Sequence, residues 1–286
     1  MGNTFTSEEK VNRVEKSSQS LYITERERDA LMHLYKQIST EGNNIDKDHV
    51  SEVFNLQERS YFKKALLLFL AKHISNAADF EEFIIKCTRS SVASTIETFW
   101  NLSNGSDEPS TESFLKVVIE LALHECNTEQ CNMTAQRMTN FIETLSVHVG
   151  HIEGVKLDLR LTSIELNNYL PNTAKALETY MSQICFKGLL SPSYKPFCAP
   201  VLDTPSEVAD AYTLLPLALH SEAMQGQWKR LYSTSVDGIS FNRVAYHTLG
   251  YDGPTCVLIK CQDPDNTVIG IIAHDRWRDS NRFYGK

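Results

Sequence analysis

The first six residues, Met1-Gly2-Asn3-Thr4-Phe5-Thr6, carry the spacing that N-myristoylation requires. Removal of Met1 exposes the unhindered amine of Gly2, which is the group that takes the acyl chain, with the Thr6 hydroxyl at the small polar position. Gly2 is therefore the expected lipidation site. One myristoyl chain holds a protein to a membrane only reversibly. Residues 1–30 hold five Lys/Arg against six Asp/Glu, so no basic cluster supplies a second hold, and a protein partner is expected to do so.

The remaining candidates for chemistry are thinner. Cys126 and Cys131 lie five apart, His148 and His151 three apart, and His124 just precedes Cys126. Zinc sites call for two close-spaced ligand pairs, and no CxxC occurs, so no metal site is expected. The best register for a calcium loop is Asn101 to Glu112, with Glu112 at the bidentate last position. Asn101 replaces Asp at the first position, Gly105 sits where a ligand belongs, and Ser106 occupies the glycine position. Thr40 to Asp48 fares no better, since placing Ile45 at the eighth position leaves His49 last. An EF-hand-like helical arrangement without calcium is the resulting expectation. A calcium–myristoyl switch is the alternative function, supported by the MGN start and opposed by these ligand-poor loops.

Phosphate-binding, dinucleotide-binding and nucleophile-elbow motifs are missing from the sequence, so no enzyme, no catalytic residue and no cofactor is expected. Cys185, Cys198 and Cys256 have no neighbour in sequence that marks a nucleophile. A stress role resting on Cys256 or Cys261 would need an electropositive setting, and Lys260 is the one adjacent charge. The Glu81-Glu82 pair fits a solvated helix face.

Positioning these groups falls to a chain of 286 residues, 42% hydrophobic and 22% charged, with a formal charge of −8. The acidic balance argues against a broad nucleic-acid footprint. The longest apolar run, Ala65 to Ala71, is too short to cross a bilayer. No apolar h-region follows the start, and seven scattered cysteines fit free thiols in a reducing compartment. A soluble protein on the cytosolic side is expected.

Four stretches are expected: a flexible lipidated N-terminus (1–23), a helical EF-hand-like region (24–190), a Pro-rich linker (191–206) and a strand-bearing C-terminal region (207–286). In the helical region Leu31, Leu34, Tyr35 and Ile38 recur at the spacing of one buried helix face. Helices are also expected over Asp48–Leu56, Tyr61–Ile74, Asp79–Leu102, Thr111–Cys126 and Thr134–Val149. Pro171 is expected to interrupt a last helix that resumes to about Phe186. Phe114, Val117, Val118 and Leu121 form one stripe, and Met138, Phe141, Ile142 and Leu145 another. Pro192, Pro196, Pro200 and Pro205 mark the linker. Beyond it, helices are expected over Glu207–Leu219 and Ser240–Leu249, the latter capped by Ser240 and stopped by Gly250. Thr255–Cys261 and Val268–Ala273 flank the turn QDPDNT as an antiparallel hairpin.

From Trp228 onward the order of elements is specific. Trp228 precedes Leu231-Tyr232-Ser233; Gly238 and Ser240-Phe241 open a helix; Gly253-Pro254-Thr255 lead into a strand; Val268-Ile269-Gly270 follow a turn; Trp277 and Phe283-Tyr284-Gly285 close the stretch. This resembles the opening half of a TLDc domain. On that reading Leu231 plugs the core from a first strand, Phe241 packs under its helix, and Gly270 marks a close backbone approach. The fold expected is α+β, a mainly α-helical EF-hand-like region followed by a partial TLDc β-sandwich, the domain being cut short on its C-terminal side. With the MGN start, the resemblance implies peripheral association with the lysosomal membrane, a link to mTOR signalling and contact with the V-ATPase. It implies no catalytic residue.

Overall fold

The computed structural model describes residues 23–40, 44–56, 60–104, 111–124, 166–262 and 267–280. They fall into two compact units, with the division between Phe197 and Cys198.

The first unit is helical. Helix α1 (Glu25–Ile38) starts on a capping box, in which the Glu27 amide donates to Thr24 Oγ1 at 3.2 Å and the Thr24 amide donates to Glu27 Oε2 at 2.8 Å. Two of the amide donors that a helix start leaves unpaired are thereby satisfied. Leu31, Tyr35 and Ile38 are buried, with Leu34 half-buried beside them, as their spacing requires. Helices α2 (Lys47–Val53) and α3 (Tyr61–His73) follow. The expected Asp79–Leu102 helix is two helices, α4 (Ala77–Thr88) and α5 (Val92–Asn104). Ser90 and Ser91 end one and begin the other: Ser90 Oγ donates to the Lys86 carbonyl at 2.6 Å, and Ser91 Oγ accepts from the Ser94 amide at 3.3 Å. Serine hydroxyls compete for backbone groups in this way, which is why they favour helix ends.

Helix α6 (Thr111–Ala122) buries the whole stripe Phe114, Val117, Val118 and Leu121. Helix α7 (Leu166–Cys185) is the centre of the unit, packing on α1, α4, α5 and α6. Pro171 does not interrupt it. The proline sits in the second turn with its ring exposed, where its missing amide costs one bond near a helix start that already lacks several. The Tyr180 hydroxyl donates to the Phe54 carbonyl at 2.6 Å, and its ring meets Phe62 edge-on. The largest fully buried side chains include Phe54, Phe62, Phe80, Phe99 and Phe186.

The two stretches weighed as calcium loops, Asn101 to Glu112 and Thr40 to Asp48, run from one helix to the next, and residues 105–110 and 41–43 of them are outside the described residues. Asn101 to Asn104 belong to α5, and α6 begins at Thr111. The 40–48 loop is pinned by a bridge between Ser39 and Ile45, and α2 already begins at Lys47. The expected Thr134–Val149 helix lies outside the described residues.

In the second unit β1 (Val201–Leu202) pairs in parallel with β2 (Gln227–Trp228). Helix α8 (Ala211–His220) starts four residues later than Glu207 because Asp210 caps it, its carboxylate accepting from the Thr213 amide at 2.9 Å. Short helices α9 (Thr234–Asp237) and α10 (Phe241–Thr248) lead to strands β3 (Thr255–Lys260) and β4 (Val268–Ala273). These form the expected antiparallel hairpin, with Leu258 opposite Gly270. The described residues thus hold helices and two separate two-stranded sheets, β1–β2 and β3–β4. The architecture is mixed α and β, and no sandwich closes among them.

Candidate functional site

Gly2 lies outside the described residues, as do Cys126, Cys131, His148 and His151. Of the other candidates the structure brings none together into a reactive cluster. Among the described residues no three His, Cys, Asp or Glu side chains gather as metal ligands, and no helix is long and apolar enough to cross a membrane. Glu81 pairs with Arg28 of α1 and Glu82 with Lys86, so the two carboxylates serve surface ion pairs. His124 is exposed with its ring edge-on to Tyr180.

Burial pushes the Cys185 thiol well up, and Cys87 likewise, with the neighbouring Cys185 adding to it. Burial also raises Cys256. These shifts disfavour the thiolate, the nucleophilic form, so Cys256 lacks the activation a reactive thiol needs. Cys198 is exposed.

Two polar constellations in the helical unit escape sequence reasoning. Glu120 of α6 accepts from Ser60 Oγ at 2.8 Å and from the Tyr61 and Phe62 amides at 2.8 and 2.9 Å. It caps α3 from across the fold, where a carboxylate also complements the helix dipole. Glu27, nearly buried, pairs with Arg89 Nη2 at 2.5 Å, and the guanidinium lies over the Phe186 ring. Burial would raise the Glu27 pKa, but the Thr24 amide, Arg89 and the Thr24 hydroxyl outweigh it and hold it below the usual range. Both constellations hold helices together.

The second unit has a different surface. Trp228 Nε1 donates to the Met224 carbonyl at 2.9 Å, and Asp203 accepts from the Arg230 amide at 3.1 Å, fixing the exit from β2. Leu231 follows that strand half-buried: β2 ends at Trp228, and Leu231, expected on a strand, lies beyond it. The Tyr232 hydroxyl donates to the Gly238 carbonyl at 2.6 Å, and the Asp237 carboxylate accepts from the Ser233 amide, closing a tight turn around α9. Gly238 has a φ of +79°, a value that favours glycine. Ser240 takes the N-cap position through its backbone carbonyl, with no bond from its hydroxyl to the helix. Phe241, expected under its helix, is 93% exposed, and Ile239 is 92% exposed. No residue of α10 is fully buried, and its half-buried side carries Val244, Ala245, His247 and Thr248, with His247 beside the Tyr232 ring, so Phe241 lies away from the side that is covered.

The hairpin follows suit. On one face Val257 and Ile259 oppose Ile271 and Ile269; on the other Cys256 and Leu258 oppose Ile272 and Gly270. Ile259, Ile269 and Ile271 are each about half exposed. At Gly270 a Cβ would lie 3.2 Å from Leu258 Cδ2, the end of a flexible side chain, so what comes near Gly270 is a side chain and not the backbone approach expected. Trp277 Nε1 donates to Thr255 Oγ1 at 2.7 Å, and Arg276 pairs with Asp252, so the chain after β4 is tied to the start of β3. A sheet apolar on both faces is one built to be covered on both.

The model of the TLDc domain family matches residues 204–286. The match begins at Thr204, upstream of Trp228, so it takes in α8 and β2 as well as the hairpin. Comparison with curated proteins gives no match.

Proposed function

We propose that the chain is a non-enzymatic regulatory or scaffold protein of the lysosomal membrane, linked to mTOR signalling and binding the V-ATPase through its TLDc segment. The acylated Gly2 is the lipid hold and the protein contact is the second anchor that a single myristoyl chain needs. The observation that carries this reading is the TLDc match over residues 204–286. The apolar side chains exposed between Val236 and Trp277 support it, because exposed groups of that size are what partner surfaces use.

The test is affinity purification of the tagged chain from cells, beside Gly2→Ala and a chain stopped at Pro200, with pump subunits quantified. Recovery of the pump with the full chain, its loss at Pro200 and a weakened membrane fraction for Gly2→Ala are the expected results. A pump signal that survives the stop at Pro200 would move the contact to the helical unit. No pump signal with the full chain would remove the V-ATPase reading.

A further inference from the structure

Among the described residues strand β4 leaves one row of backbone groups open. The Cys261 amide donates to the Thr267 carbonyl at 2.8 Å, and in an antiparallel ladder such bonded pairs alternate with non-bonded ones. With Ile259 opposite Ile269 and Val257 opposite Ile271, residues 269, 271 and 273 turn their amides and carbonyls toward β3. Val268, Gly270 and Ile272 turn theirs outward. Among the described residues no strand covers that edge, and Gly270 is exposed.

The edge is also unguarded. Exposed strands are commonly protected by a charge or a proline, and β3 is entered through Pro254 and ends on Lys260. Between Val268 and Ala273 there is neither. The sequence of β4 reads nearly alike in both directions about Gly270, with Ile269 and Ile271 on either side and then Val268 and Ile272.

We propose that β4 pairs antiparallel with β4 of a second copy of this chain, about a two-fold axis at Gly270. This register sets Gly270 against Gly270 of the second copy and Val268 against Ile272 of the second copy, so all three outward residues find bonded partners. Ile269 then faces Ile271 of the second copy, a β-branched cross-strand pair of the favourable kind. The strand alternation keeps Val257, Ile259, Ile269 and Ile271 of both copies on one side, giving a four-stranded sheet with one continuous apolar face. A two-fold contact of this type closes on itself and yields a dimer. A second copy is the occupant because the near-palindrome matters only when the strand meets itself.

Analytical ultracentrifugation of the whole chain over a range of concentrations tests this. The expected species is a dimer, twice the 32.4 kDa of the chain. Ile269→Lys with Ile271→Lys places like charges opposite each other across the axis and is expected to weaken the dimer roughly tenfold or more. Ile269→Lys with Ile271→Glu places opposite charges there and is expected to keep it. Ile272→Pro removes an outward amide only, leaving the β3 ladder intact, and is expected to be monomeric. Circular dichroism checks that each variant is folded as the parent is. A monomeric parent, growth beyond the dimer, or equal behaviour of the two charge variants would overturn the proposal.

Discussion

The helical unit and the C-terminal unit spend their large apolar side chains differently. In the first, Phe54, Phe62, Phe80, Phe99 and Phe186 are fully buried, and polar groups such as Glu120 and Tyr180 are committed to holding helices in place. In the second, α8 buries Leu214, Leu215, Ala218 and Leu219, but Ile239, Phe241 and Tyr246 stand in solvent and the hairpin is half bare. Burial of a large side chain contributes about 1.5–3 kcal/mol to folding, so the first unit carries the stability. The second leaves large apolar side chains exposed among the described residues, the surface that the proposed partner contact would use.

The contrast breaks most visibly at Phe99. Phe99→Ala opens a cavity at a site with no exposure and is expected to cost about 3–5 kcal/mol in urea unfolding of the helical unit. Equal stability of parent and variant would mean that the buried phenylalanines are not what holds the unit.

Glu27→Gln is next, at about 2 kcal/mol, because it leaves the partly buried Arg89 without its counter-charge. The sign with pH follows from the lowered Glu27 pKa. A carboxylate depressed in the folded state stabilises it fully above the unfolded value, ~4.3, and loses that contribution as pH falls through the folded value. Parent and Glu27→Gln are therefore expected to differ at pH 7 and to converge on acidification below about 4.3. Melting temperatures across that range check it, and a gap that persists or widens there would contradict it.

Tyr180→Phe leaves the Phe54 carbonyl without its donor and is expected to cost about 1–2 kcal/mol, measured in the same way. Phe241→Ala marks the other end of the comparison. At 93% exposure it is expected to change stability by no more than about 0.5 kcal/mol. A larger loss would show that Phe241 packs against something in the free chain.

Helices with a full local signal are legible in the sequence. The Thr24/Glu27 box with Leu31, Tyr35 and Ile38 behind it, and the α6 stripe from Phe114 to Leu121, need only spacing to be read. The hairpin is equally plain, since two β-branched runs flank a Pro/Asp/Asn turn. The split between α4 and α5 escapes because Ser90 and Ser91 fit a helix interior and a helix end alike until their hydroxyl bonds are seen. Glu120 capping α3 is out of reach of any local pattern, because its partners lie about sixty residues away. Phe241 is the instructive failure. Apolar spacing says which residues need cover, but not whether the cover is present.

The candidate site was legible as an ordered series of small elements from Trp228 to Trp277, and the TLDc match from Thr204 takes in that series. Its extension upstream was not, because α8 reads as a plain apolar helix with nothing to tie it to the strands that follow. The thiols show the opposite limit. Cys87, Cys185 and Cys198 look alike in sequence, and only burial separates the two inert ones from the exposed one.

The most direct test exchanges the exposed side chains and leaves the fold alone. The triple variant Ile239→Ser, Phe241→Ser, Tyr246→Ser in the full chain should unfold with the parent's midpoint and yet lose the V-ATPase subunits in affinity purification. Pump recovery equal to the parent's, with the fold intact, would contradict the claim that the C-terminal unit keeps its apolar surface for a partner.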